Sequence, residues 1–74
     1  MKITVKLVGA LQTDRFKIEE LDLPSGARVL SVVESLELPK GLIGIILING
    51  LHSGEQDILK EADFLTILPL LDGG

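Results

Sequence analysis

Val29, Val32, Val33 and Leu36 stand at the i, i+3, i+4, i+7 spacing of one helical face. Three of the four are β-branched valines, which lower intrinsic helix propensity, so this short helix is expected to exist chiefly because its apolar face packs on a sheet. The rest of the chain must therefore supply that sheet. With 74 residues there is room for one core and little else. The absence of cysteine excludes disulfides, thiolate zinc sites and iron–sulfur clusters, leaving the packing of a 46% apolar composition to hold the fold.

Strand signals lie on both sides of the helix. Met1 to Val8 alternates, with Ile3, Val5 and Leu7 on one face and Lys2, Thr4 and Lys6 on the other. Gly9 to Arg15 reads as a loop that returns the chain antiparallel, and Phe16 to Leu23 as the second arm of a hairpin. The apolar parity of that arm slips between Phe16/Ile18 and Leu21/Leu23, which predicts a bulge near Glu19 or Glu20. Pro24-Ser25-Gly26 closes the arm, and Pro39 and Gly41 are expected to end the helix.

Beyond the helix, Leu42 to Ile48 is an apolar run of two-sided character and reads as an inner strand. Asn49-Gly50 after it is a turn pair favoured where both central residues need positive φ. Leu51 to Glu55 reads as a brief edge strand, Asp57 to Asp63 as a turn or a scrap of helix, and Phe64 to Leu68 as a last strand stopped by Pro69. The expected class is α+β, a mixed sheet of four to five strands packed on one helix. The division is residues 1–69 as the domain and 70–74 as a flexible C-terminal tail ending in Gly-Gly.

Conventional active sites are not found in this pattern. His52 is the single histidine and has no partners in sequence for a triad or a metal, and no metal site is expected. No serine sits in a G-x-S-x-G elbow, and the glycine-rich stretches lack the phosphate-loop pattern. Net charge is −4, without a run of basic residues and with two phenylalanines as the whole aromatic content, so nucleic acid is not an expected partner. No basic segment followed by an apolar one opens the chain, and the longest apolar stretch falls far short of the roughly 18 residues of a membrane span, so a cytoplasmic protein without a membrane partner is expected.

The closing stretch LPLLDGG is different, because its reactive group would be the α-carboxylate of Gly74. A carboxylate resists nucleophiles until its oxygen becomes a good leaving group, which a partner could arrange by adenylation with ATP. Glycine at 73 and 74 suits such chemistry, since without Cβ the chain enters a narrow channel and presents its carbonyl unobstructed. Leu70 and Leu71 cannot both pack back easily on one small core, which marks an apolar surface for a partner, and Asp72 adds a charge that a basic side chain can read.

The fragments LPSGARV before the helix, ILINGL, LKEADFL and the ending ILPLLDGG, in this order, resemble the ubiquitin-like β-grasp sulfur carriers, the family of the molybdopterin synthase small subunit and the thiamine-biosynthesis sulfur carrier. That resemblance implies a carrier without catalysis of its own. An E1-like enzyme adenylates Gly74, a sulfur donor protein converts the acyl adenylate to a thiocarboxylate, and a large synthase subunit receives the tail. ATP belongs to the activating partner, and no cofactor is expected on the chain itself. It further implies Gly73, Asp72, Leu71 and Leu70 as channel contacts and an apolar face around Leu51 and the end of the last strand for docking.

Three departures from the family pattern stand out: Pro69-Leu70 where two prolines are common, Arg28 where a helix-capping threonine is common, and Ala62 where a glycine is common. The last predicts a turn that avoids positive φ. Molybdopterin synthesis is the leading expectation, with thiamine thiazole synthesis, a ubiquitin-like modifier and a plain interaction module as alternatives.

Overall fold

The computed structural model describes residues 1–71, so the expectations on Asp72, Gly73 and Gly74 lie outside the described residues. Strands β1 (Lys2–Leu7), β2 (Ile18–Asp22), β3 (Ile43–Ile48), β4 (Leu51–Ser53) and β5 (Phe64–Pro69) form one mixed sheet in the order β2-β1-β5-β3-β4. β1 and β5 run parallel and the other neighbours antiparallel. Helix α1 (Val29–Ser35) packs on one face, which gives a β-grasp.

The alternation of β1 sets the layers. Ile3, Val5 and Leu7 are buried, together with Leu65 and Ile67 of β5 and Ile46 of β3, against Val29, Val32 and Val33 of α1. Leu11, Leu38 and Leu59 join this cluster from the connecting segments. Leu11 reaches it because Gly9–Gln12 forms a 3-10 turn rather than an open loop.

β2 departs from expectation. Its register with β1 runs one to one from Lys2↔Asp22 to Lys6↔Ile18, with no bulge. The parity slip is resolved differently: Leu21 faces the core opposite Ile3, Ile18 pairs with Lys6 on the other face and stays exposed, and Phe16 packs on the core from outside the strand. An edge strand tolerates an outward apolar residue, so parity alone gave the wrong inference.

Helix α1 is held at both ends by other segments. No side chain caps its N-terminus; the amides of Val29 and Leu30 donate instead to the carbonyls of Asp57 (3.0 Å) and Glu55 (2.8 Å). The missing hydroxyl at Arg28 is thus replaced by the loop before β5. Asp57 is fixed there by Ser53 Oγ (2.5 Å) and the Gly54 amide (2.9 Å), and these donors, the hydroxyl first, hold its carboxyl below the ordinary range.

The C-terminus closes before Pro39. Glu37 takes φ +53, its amide donates to Glu34 O and that of Leu38 to Val33 O, a Schellman closure. The guanidinium of Arg15 donates to the carbonyls of Leu36 (3.0 Å) and Glu37 (2.8 Å), placing a cation where the helix dipole is negative.

Asn49 and Gly50 both have positive φ, as their sequence predicts. The Asn49 side chain donates to buried Asp63 and accepts from the Phe64 amide, tying this turn to the start of β5. Ala62, however, has φ +69. The expectation that alanine avoids this conformation fails because the Asp63 carboxylate accepts from the Lys60 amide while the Ala62 amide donates to Lys2 O, and together these fix the turn.

Candidate functional site: the strand that leads out of the sheet

β5 is the middle strand, flanked by β1 and β3, and its inward residues Leu65 and Ile67 are fully buried. Immediately past Pro69 the exposure reverses: Leu70 is 61% and Leu71 84% exposed. The chain leaves at a defined point. The Leu70 amide donates to Leu42 O at 2.6 Å, a bond that the more common second proline could not make. Pro69 sits against Gly9, whose added Cβ would lie 3.2 Å from the ring.

A one-residue irregularity accompanies this exit. Ile43 pairs with Pro69 and Ile45 with Leu68, so β3 advances by two residues while β5 advances by one, and Gly44 is the extra residue.

α1 covers one face of the sheet, and the other is open. Cross-strand pairing places Ile45, Leu47, Phe64, Thr66 and Leu68 together on that open face, with Ile45 and Phe64 among the exposed large apolar residues. The two-sided apolar character of β3 therefore does not mean burial on two sides. β3 is inner in strand order, as expected, yet past the irregularity its Ile45 and Leu47 side chains meet no covering layer among the described residues. The clue was available: a single seven-residue helix cannot cover both faces of a five-stranded sheet.

Leu51 lies elsewhere. It is 74% exposed and pairs with Ile48, on the helix side of the sheet and at the end of β3 opposite the one from which Leu70 departs. With Ile48, His52, Ile58 and Lys60 it lines a concavity of about 350 Å³. The structure thus brings Leu70 and Leu71 together and sets Leu51 apart from them and from the end of the last strand, where Leu68 joins Ile45, Leu47 and Phe64 in an apolar face wider than the sequence indicates.

Among the described residues no group of three or more His, Asp or Glu converges as metal ligands would, and no helix is long and apolar enough to cross a membrane.

No protein-family model and no curated protein sequence matches the chain. Solved structures do match. SAMP1 from Haloferax volcanii, the small archaeal modifier protein 1, has a TM-score of 0.78 at 19% identity, with all of both chains covered. A putative molybdopterin converting factor subunit 1 from Pyrococcus furiosus has a TM-score of 0.78 at 26% identity, covering 96% of this chain and 99% of that one. A complex of subunits 1 and 2 of molybdopterin-converting factor from Helicobacter pylori 26695 contains a chain with a TM-score of 0.68 at 17% identity, fully covered on both sides. The structural neighbours are of the ubiquitin-like sulfur carrier family, the family that the sequence resembles.

Proposed function

We propose that this chain is a sulfur carrier for molybdopterin synthesis, with Gly74 as the residue that bears the sulfur. The observation that carries the reading is that the central strand of a β-grasp runs directly into the exposed pair Leu70-Leu71, followed in sequence by Asp72-Gly73-Gly74. In this reading residues 1–69 are the handle and 70–74 the delivered segment. Five extended residues reach at most roughly 16 to 18 Å, enough to enter a partner's site while the sheet stays outside.

The chemistry is that of an activated carboxylate. A Gly74 carboxylate oxygen attacks the α-phosphorus of ATP in an E1-like enzyme, and pyrophosphate leaves. Sulfide from a donor protein then attacks the carbonyl carbon and AMP leaves, so one terminal oxygen is replaced by sulfur. The thiocarboxylate passes its sulfur to a precursor held by a large synthase subunit, and the chain itself contributes no acid or base. The subunit 1 and 2 complex of the Helicobacter pylori factor supports a partner of that kind. Leu70, Leu71, Asp72 and Gly73 are the proposed channel contacts, and Leu51 a separate contact on the helix side.

A ubiquitin-like modifier uses the same activated carbonyl with a lysine amine as the attacking group. It is the second reading, supported by the full-length likeness to SAMP1. One reconstitution separates them: the chain with ATP, sulfide and the E1-like enzymes of its own genome, followed by intact-mass analysis. A gain equal to the mass difference between sulfur and oxygen is expected. Isopeptide adducts on added proteins without that gain would favour the modifier, and neither product would count against both.

A further inference from the structure

Gly44 is a glycine for reasons of space rather than of backbone conformation. Its φ does not fall in the positive region, unlike those of Gly9, Gly26 and Gly50, so an L-residue would suffer no intrinsic strain there. A Cβ on Gly44 would nevertheless lie 2.8 Å from Pro69 O, 2.9 Å from Leu70 Cα and 3.0 Å from Leu70 N. All three are backbone atoms, which cannot swing aside as a side-chain tip would.

These are the atoms at which the chain leaves the sheet. Gly44 is also the extra residue of the β3 irregularity, and on its far side the Leu70 amide closes onto Leu42 O. Bulge, missing side chain and closing hydrogen bond therefore converge on one crossing, where the Pro69–Leu70 peptide lies against β3. Gly41, three residues earlier, would meet nothing within 4 Å if it gained a Cβ.

We propose that Gly44 is a positioning residue for the carrier reaction: its bare backbone lets Pro69–Leu70 cross β3 and so sets the direction in which the C-terminal segment is presented to the activating enzyme. This deepens the sulfur-carrier reading and rests on it. A side chain at position 44 would leave the sheet and α1 in place and redirect the segment.

The test compares Gly44→Val with wild type, with Gly41→Ala as the open-space control and Val33→Ala as a core variant that lowers stability without touching the exit. Gly44→Ala serves where the valine variant does not fold. Two readouts concern geometry: hydrogen exchange at the Leu70 amide, and paramagnetic broadening from a nitroxide on Leu71→Cys, which labels one site because the chain has no cysteine. The third is thiocarboxylate formation by the E1-like enzyme with ATP and sulfide, measured on unlabelled chain at a temperature where every variant is folded.

In Gly44→Val the Leu70 amide is expected to exchange roughly tenfold faster or more, the broadening to shift to other residues, and kcat/KM for the chain to fall roughly tenfold or more. Gly41→Ala and Val33→Ala should keep wild-type values in the third readout. Unchanged Leu70 exchange and unchanged broadening in Gly44→Val would overturn the inference whatever the chain's function. Altered geometry with undiminished activation would overturn the positioning role and leave the carrier reading standing. A wild-type chain that none of the E1-like enzymes activates would remove the carrier reading and the positioning role together.

Discussion

Leu65 and Leu71 belong to one continuous run of chain, and the protein uses them in opposite ways. Leu65 is fully buried between β1 and β3, where its side chain contributes on the order of 2 kcal/mol or more of transfer free energy to a small domain. Leu71 is 84% exposed and contributes almost none. The difference comes from what surrounds each residue: a helix roofs the first, and past Pro69 no element among the described residues covers the second. A residue type that usually marks a core thus becomes exposed apolar surface when the strand carrying it runs past its roof.

The comparison breaks most visibly at the buried end. Leu65→Ala is expected to cost about 2–5 kcal/mol, a large share of the roughly 4–11 kcal/mol available to a chain of this length. Urea denaturation measures it, and a loss below about 1 kcal/mol would show that β5 is not the central support. Arg15→Ala comes next. It removes two charge-assisted bonds to the closing carbonyls of α1, and a loss of about 1–2 kcal/mol is expected after discounting for partial exposure.

Leu71→Ala sharpens the contrast. Its stability should stay within about 0.5 kcal/mol of wild type, while thiocarboxylate formation falls roughly tenfold if the proposed apolar contact with the partner is lost. A variant that unfolds as readily as Leu65→Ala would erase the distinction. Glu37→Gly should raise stability by about 0.5–1 kcal/mol, since glycine occupies φ +53 without the Cβ penalty; thermal denaturation with no gain would mean that the Arg15 clamp, not glycine's freedom, governs that end.

Asp57→Asn has the smallest expected effect. The folded-state pKa of Asp57 lies below its unfolded value through the Ser53 and Gly54 donors, so its contribution is fully present above the ordinary carboxylate range and is lost as pH falls through the lower folded value. The gap in stability between wild type and variant should therefore be present at pH 6 and close from about pH 4 downward. A gap independent of pH would assign the effect to packing.

Much of the fold was legible because its signals are local. The alternation of Lys2–Leu7, the valine spacing of α1 and the Asn49-Gly50 turn depend on residues within a few positions of one another. What was not legible depends on distant segments. The N-terminus of α1 is satisfied by carbonyls at 55 and 57, Ala62 is held at positive φ by bonds to Lys2 and between Asp63 and Lys60, and Gly44 meets the backbone of residues 69 and 70. Ile18 misled for a related reason, since a strand edge does not enforce parity. At the candidate site, the exposed Leu70-Leu71 pair followed from the sequence. The open apolar face required knowing that one helix covers one side.

The positioning role proposed for Gly44, the partner contact proposed for Leu71 and the identity of the cargo all depend on chemistry at Gly74. Tandem mass spectrometry of the C-terminal peptide, from chain isolated out of its own cells under thiol-free, non-acidic conditions, reads that chemistry directly. The expected result is a fraction of molecules that end at Gly74 with sulfur in place of one carboxyl oxygen. A peptide that continues past Gly74, or one that ends there bearing oxygen alone in sulfur-replete cells with active molybdopterin synthesis, would contradict it.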